Sequence, residues 1–276
     1  MAPGQGDVSI RVRIVGSAVT SNAVAYSYQS PCLAYIDGPG ASGASTLGGD
    51  AVRLHGDNFG PVGTVVDYAA YGHSVVAGSP PFHLTTASTP VYLATSCHVS
   101  EAHRSIDCVT AAGVGSGLAW TVSVSGQVLS LCSGAGATNV SSGYGAPVID
   151  SVVVASTPDA GVGLLSSEGG SVVTVTGRNF DTNATATMAV EFASRVTLPI
   201  TRINSSTVRF VSPIGSGAAA QFVVIVDGQR SLPSVPLTYA PPAVVHVQLG
   251  SGTTCEPSSS AFVFDCSSVV TTRVHH

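Results

Sequence analysis

This chain contains no lysine; all ten of its basic residues are arginine. Charged residues of either sign make up 9% of the sequence, against about 25% in an average soluble domain. The formal net charge is −5, and no basic cluster is present. That excludes nucleic-acid binding, which needs clustered cations to displace phosphate counterions. Long apolar runs are also missing. Nothing approaches the roughly 18 consecutive apolar residues of a membrane-spanning helix, so no direct membrane insertion is expected. Residues 1–10 have neither the basic nor the apolar region of a secretory leader, so a secreted protein would carry its leader outside this sequence. There is no Cys-x-x-Cys pair, which counts against zinc-ribbon and thioredoxin chemistry. There is no Gly-x-Ser-x-Gly nucleophile elbow. Aromatic residues amount to 6%.

Small β-branched and hydroxylated residues fill the space that charges usually take. Val, Thr and Ser suit pleated, half-buried strands, and 31 Gly with 16 Pro supply turns. Few stretches combine helix formers with a helical apolar period. The expected fold class is all-β.

One pattern occurs twice. Gly48-Gly49-Asp50-Ala51-Val52-Arg53-Leu54-His55-Gly56-Asp57-Asn58-Phe59 is matched by Gly169-Gly170-Ser171-Val172-Val173-Thr174-Val175-Thr176-Gly177-Arg178-Asn179-Phe180. A strand-level element recurs three times: Ile10 to Ile14 then Gly16, Trp120 to Val124 then Gly126-Gln127, and Phe222 to Val226 then Gly228-Gln229. The spacing predicts that Ile10, Trp120 and Phe222 occupy one equivalent core position. A third element, Tyr-x-x-Pro, marks joints at Tyr28 to Pro31, Tyr144 to Pro147 and Tyr239 to Pro242. The intervals match sandwiches of about 100 residues. The expected organisation is therefore the C-terminal strands of one module at 1–30, a complete module at 31–146 with an insertion about 79–104, a leaner complete module at 147–240, and the start of another at 241–276. Joints pinned by proline, with almost no linker, predict a stiff rod.

Within the repeated motif, Asn58 and Asn179 are expected to hold a tight turn, since Asn tolerates left-handed geometry. Phe59 and Phe180 are expected to plug the end of each sandwich. The Gly pairs are expected to give backbone freedom at a bend.

The six cysteines suggest an oxidising compartment. Four lie in one module, which allows three connectivities. The expected pairing is Cys97–Cys108 across a hairpin and Cys32–Cys132 between first and last strands, with Cys255–Cys266 in the tail. Sequons at Asn139, Asn183 and Asn204 are candidate N-glycosylation sites, and glycans would help solubilise a charge-poor surface.

At these residues the chain resembles the IPT/TIG family of immunoglobulin-like domains. The matching features are Pro147-Val148-Ile149, both Gly-Gly motifs, the turns at Ala112 to Gly115 and Pro213 to Gly217, and the apolar strands ending in Gly-Gln. The tail departs from the pattern after Val247. The resemblance implies tandem early-set immunoglobulin-like β-sandwiches, found in receptors, large adhesive proteins, polysaccharide-acting enzymes and Rel-type transcription factors. The lysine-free, Ala-, Gly- and Val-rich usage is associated with an alga or protist.

Other motifs weigh little. Gly38-Pro39-Gly40-Ala41-Ser42-Gly43 fits G-x-G-x-x-G but lacks the following helix of a nucleotide site. Cys97, His98, His103 and Cys108 have unusual spacing for zinc. His55 sits at an outward strand position, and the acidic residues form no obvious catalytic pair. Asp57 and Arg178 share one motif position with opposite charge, which speaks against a shared ion site. The expectation is a non-enzymatic structural segment of a large extracellular or cell-surface glycoprotein, such as a fibre, sheath or adhesin. It needs no cofactor; its partners are neighbouring modules and covalent glycans, and its contact site is the insertion. The alternative is an accessory ligand- or glycan-binding module of a receptor or polysaccharide-acting enzyme, which exposure of Tyr68, Tyr71, Phe82 and Tyr92 on one face as an aromatic platform would favour.

Overall fold

A computed structural model describes residues 7–73, 91–132, 140–155, 157, 160–180, 186–193 and 196–241, together with the backbone of 255–257 and 264–266. Every regular element among them is a strand.

A two-stranded ribbon opens the chain, β1 (Asp7–Ile10) against β2 (Val24–Ser27). The first sandwich follows. Its strands are β3 (Cys32–Asp37), β4 (Ser42–Ala44), β5 (Ala51–Asp57), β6 (Val66–Gly72), β7 (Val91–Leu93), β8 (Thr95–Glu101), β9 (Ser105–Val109), β10 (Ser116–Val124), β11 (Gln127–Val128), β12 (Ser130–Leu131) and β13 (Ser141–Tyr144). One sheet has the order β4-β13-β10-β6-β7 with β11 on β10, and the other β12-β3-β5-β9-β8. The second sandwich contains β14 (Val148–Val154), β15 (Val172–Arg178), β16 (Met188–Phe192), β17 (Val196–Pro199), β18 (Thr201–Asn204), β19 (Thr207–Val211), β20 (Phe222–Val226) and β21 (Gln229–Arg230). Its sheets have the orders β14-β15-β19-β18 and β17-β16-β20-β21. In the tail, β22 (Cys255–Pro257) pairs with β23 (Phe264–Cys266).

Period-two alternation creates both cores. In β5 the inward residues are Val52 and Leu54; in β15 they are Val173 and Val175. They meet Trp120 and Val122 across the first core, and Phe222 and Val224 across the second. Removing each such side chain from water contributes about 1.5–3 kcal/mol.

The repeated motif does the same work twice. Gly56 and Gly177 face inward, where a Cβ would run into the carbonyls of Cys32 and Val148 respectively. Asn58 and Asn179 then turn the chain at φ 65° and 64°. Phe59 and Phe180 follow, both 0% exposed. Gly48 and Gly169 carry positive φ and lie against the backbone of Ala111 and Pro213. Tyr144 and Tyr239, in the two Tyr-x-x-Pro elements, donate to the carbonyls of Ala111 and Pro213. Trp120 and Phe222 stand in matching strands, each before the same Gly-Gln turn, and both are buried.

Ile10 corrects the third member of that set. It is 49% exposed, because β1 pairs only with β2 and no facing sheet covers the ribbon among the described residues. The expected insertion also changes character. Its first part, 79–90, lies outside the described residues. The rest, through Glu101, is β7 and β8, which bury Tyr92 and Val99 by ordinary alternation.

Candidate functional site

Two disulfides brace the first sandwich. Cys32–Cys132 ties residues 100 apart, and Cys97–Cys108 ties β8 to β9 across 11. Cys97 and Cys108 therefore offer no thiolates to a metal, and His98 turns its Nδ1 to the Ser96 carbonyl. The sulfurs of Cys32 and Cys132 approach Asp57, but they too are consumed in the disulfide. Cys255 and Cys266 are register partners on β22 and β23, with side chains outside the described residues.

Four acidic groups are paired with arginines. Arg53 holds Asp107 with two bonds of 2.6 and 2.8 Å. This holds the Asp107 carboxyl below its ordinary range, first through the hydrogen bond and despite partial burial. Arg104–Asp57, Arg178–Asp150 and Arg230–Glu191 are exposed pairs, each contributing little to stability. Ser105, His55 and Asp37 have the composition of a hydrolytic triad, with Ser105 Oγ 3.4 Å from His55 Nδ1. Ser105 is only 1% exposed, which closes its hydroxyl to substrate. His55 Nε2 stands 3.1 Å from Asp37 Oδ2 but off the direction of a hydrogen bond.

The proposed aromatic platform is not a surface feature. Tyr71 and Tyr92 are buried at 1% and 7%, Tyr68 is half-buried, and Phe82 lies outside the described residues. Tyr71 stacks on Trp120 at 4.3 Å and shares a 2.6 Å hydroxyl contact with Tyr144. Burial raises the phenol pKa of both Tyr71 and Tyr144. Tyr92 is satisfied by the backbone of Val114. The exposed aromatic rings among the described residues are Tyr26 and Tyr35, neither of which stood out in the sequence. Only the register of β3, which shifts between Leu33 and Tyr35, reveals Tyr35 as outward. Asn204 is exposed, and its Oδ1 accepts hydrogen bonds from Ser206 N and Oγ at 2.9 and 3.0 Å. Asn139 and Asn183 lie outside the described residues.

The most developed arrangement lies where the sandwiches meet. Val114 belongs to the first sandwich by sequence, yet it packs into the core of the second and is 1% exposed. Gln229 donates from Nε2 to the Tyr144 carbonyl at 2.9 Å and accepts from Gly115 N at 3.1 Å. His73 Nε2 lies 3.1 Å from Asp227 Oδ2. A Cβ on Gly115 would collide with Asp227. Asn179 donates to the Ala146 carbonyl, just before Pro147, at 2.8 Å. The preceding joint repeats two of these bonds: Gln127 donates to the Tyr28 carbonyl at 3.1 Å, and Asn58 to the Ser30 carbonyl at 3.3 Å.

Residues 147–239 match the model of the IPT/TIG domain. No curated protein matches the chain. Among solved structures it is similar to SGBP-B from a complex xyloglucan utilization locus in Bacteroides uniformis, at 14% identity and a TM-score of 0.25, covering 84% of this chain and 58% of that one. It is also similar to a surface glycan-binding protein from Prevotella bryantii, at 13% identity and a TM-score of 0.38, covering 74% of this chain and 41% of that one. A third is invasin, a bacterial integrin-binding protein, at 18% identity and a TM-score of 0.27, covering 80% of this chain and 41% of that one. The chain spans less than two thirds of each of these proteins. Residues 147–239 are thus similar to the IPT/TIG domain, an immunoglobulin-like β-sandwich, within an all-β chain.

Proposed function

We propose that this chain is a non-catalytic structural segment of a large extracellular or cell-surface glycoprotein, a fibre, sheath or adhesin, built from stacked modules at 31–146 and 147–240. Residues 1–30 and 241–276 belong to the neighbouring modules on either side. The observation that carries this reading is the repeated joint. In both joints the Gln of a Gly-Gln turn holds the carbonyl of the joint tyrosine, and the motif Asn holds the carbonyl before the proline. Repeated bonds at repeated places set a repeated angle between modules, and each bond contributes about 0.5–1.5 kcal/mol. Burial of Val114 adds an apolar contact across the second joint. The disulfides suit an oxidising compartment, and the exposed Asn204 sequon suits glycan attachment. No helix among the described residues is long and apolar enough to cross a membrane.

Low-dose imaging of the native material tests the reading. It should show thin rods or stalks with a regular beaded repeat, and glycosidase treatment should reduce the mass. Free, flexibly jointed particles without glycan would contradict it.

A further inference from the structure

The fold builds the same outer sheet face twice, and only one copy carries chemistry that packing does not require. On the first sandwich, Tyr35 and His55 are direct cross-strand partners, with rings stacked at 4.3 Å and 8°. At the equivalent rung of the second sandwich, Ser151 faces Thr176 through a 3.0 Å hydroxyl bond. One rung along, Asp37 faces Arg53, which faces Asp107; the second sandwich has Val153, Thr174 and Arg209 there. Ser and Val therefore suffice for the architecture. In a chain with so few charges and aromatics, one face gathers Asp37, Arg53 and Asp107 around a tyrosine that is 54% exposed.

We propose that this face is a binding site for an uncharged saccharide, with the outer face of Tyr35 as its platform. One side of the ring is braced by His55, and the residue as a whole stays largely exposed. A flat aromatic surface accepts the C–H face of a sugar ring, while neighbouring polar groups meet its hydroxyls. The charges select the partner class. Arg53 is held by Asp107 through both carboxylate oxygens, and Asp37 lies beside His55. Asp37 is then the one carboxylate on this face without an arginine, which repels an anionic polymer, while carboxylate lone pairs and guanidinium N–H groups still offer hydrogen bonds to hydroxyls. This adds a ligand site to the structural segment and does not depend on that segment forming a fibre.

Affinity electrophoresis of the whole chain tests the proposal, in gels containing hydroxyethyl cellulose, a β-1,3-glucan or a galactomannan. Polygalacturonate and poly-lysine serve as charged comparisons. At least one neutral polymer should retard the protein, and 1 M salt should leave the retardation intact. Tyr35→Ala should weaken binding by about tenfold or more, whereas Tyr26→Ala, at the other exposed ring, should leave it unchanged. Because Tyr35 is outward, its removal should leave the melting temperature nearly unaffected, separating lost binding from lost folding. Three results would overturn the proposal: no retardation by any neutral polymer, retardation that survives Tyr35→Ala, or binding only to a charged polymer that salt abolishes. None of these bears on the joint between the sandwiches, which Gln229→Ala addresses separately.

Discussion

The two sandwiches share a backbone plan but are stabilised by different means. The first has two disulfides and a cluster of buried phenols, Tyr71, Tyr92 and Tyr144, around Trp120. The second has no disulfide among its described residues, and its core is packed edge-to-face by Phe192, Phe210, Phe222 and Tyr239. What both retain is the Gly-Gly strand, the left-handed Asn and the plugging Phe. The plan therefore lies in backbone constraints, and the filling is interchangeable. The filling matters for conditions: three buried phenols in the first core against Tyr239 alone in the second make the first sandwich the more alkali-sensitive, and among the described residues the disulfides bring redox sensitivity to the first only.

Trp120 is the chain's single tryptophan, so its fluorescence reports the first sandwich alone. Phe180→Ala should cost about 3–5 kcal/mol. In urea it should unfold the second sandwich early, seen as loss of amide protection in β15, while the Trp120 transition shifts far less. Phe59→Ala should reverse that pattern. If both substitutions moved both transitions equally, the sandwiches would not be separate cores. Reduction of the disulfides comes next. The bond spanning 100 residues constrains the unfolded chain most, and its loss should cost about 2–5 kcal/mol. The Trp120 midpoint should fall, and β15 protection should hold.

A smaller effect separates the phenols. Burial raises the folded pKa of Tyr71 and Tyr144 above that of the unfolded chain. Their stabilisation is thus fully present below about pH 10 and is lost as pH rises through the folded values. Tyr144→Phe removes one of these groups and its hydroxyl bonds. It should cost about 1–2 kcal/mol at neutral pH and flatten the alkaline loss of the Trp120 signal. An unchanged alkaline slope would refute the assignment.

The fold was legible in the sequence where constraints are local. Positive φ at Asn58 and Asn179, and alternation through Val52–Leu54 and Val173–Val175, show in residue order. The recurrent Gly-Gln was legible as a motif, but its role was not: Gln229 acts across a joint, on a carbonyl 85 residues away. The surface was not legible for a related reason. Sequence left the exposure of Tyr71 and Tyr92 open, because phenols need partners; Tyr144 and Val114 provide them inside. Tyr35 was passed over because a bulge in β3 decides which way it points. Ile10 follows the pattern of Trp120 and Phe222, but a pattern cannot supply the facing sheet that makes a position buried.

The central claim is that the joint fixes one sandwich against the other through Val114, Asp227 and Gln229. Residual dipolar couplings from backbone amides of β5, β9 and β10, and of β15, β19 and β20, test it directly. The account predicts that one alignment tensor fits both sets in the native chain, and that Gln229→Ala combined with Asp227→Ala splits it into two. Two independent tensors in the unsubstituted protein would contradict it.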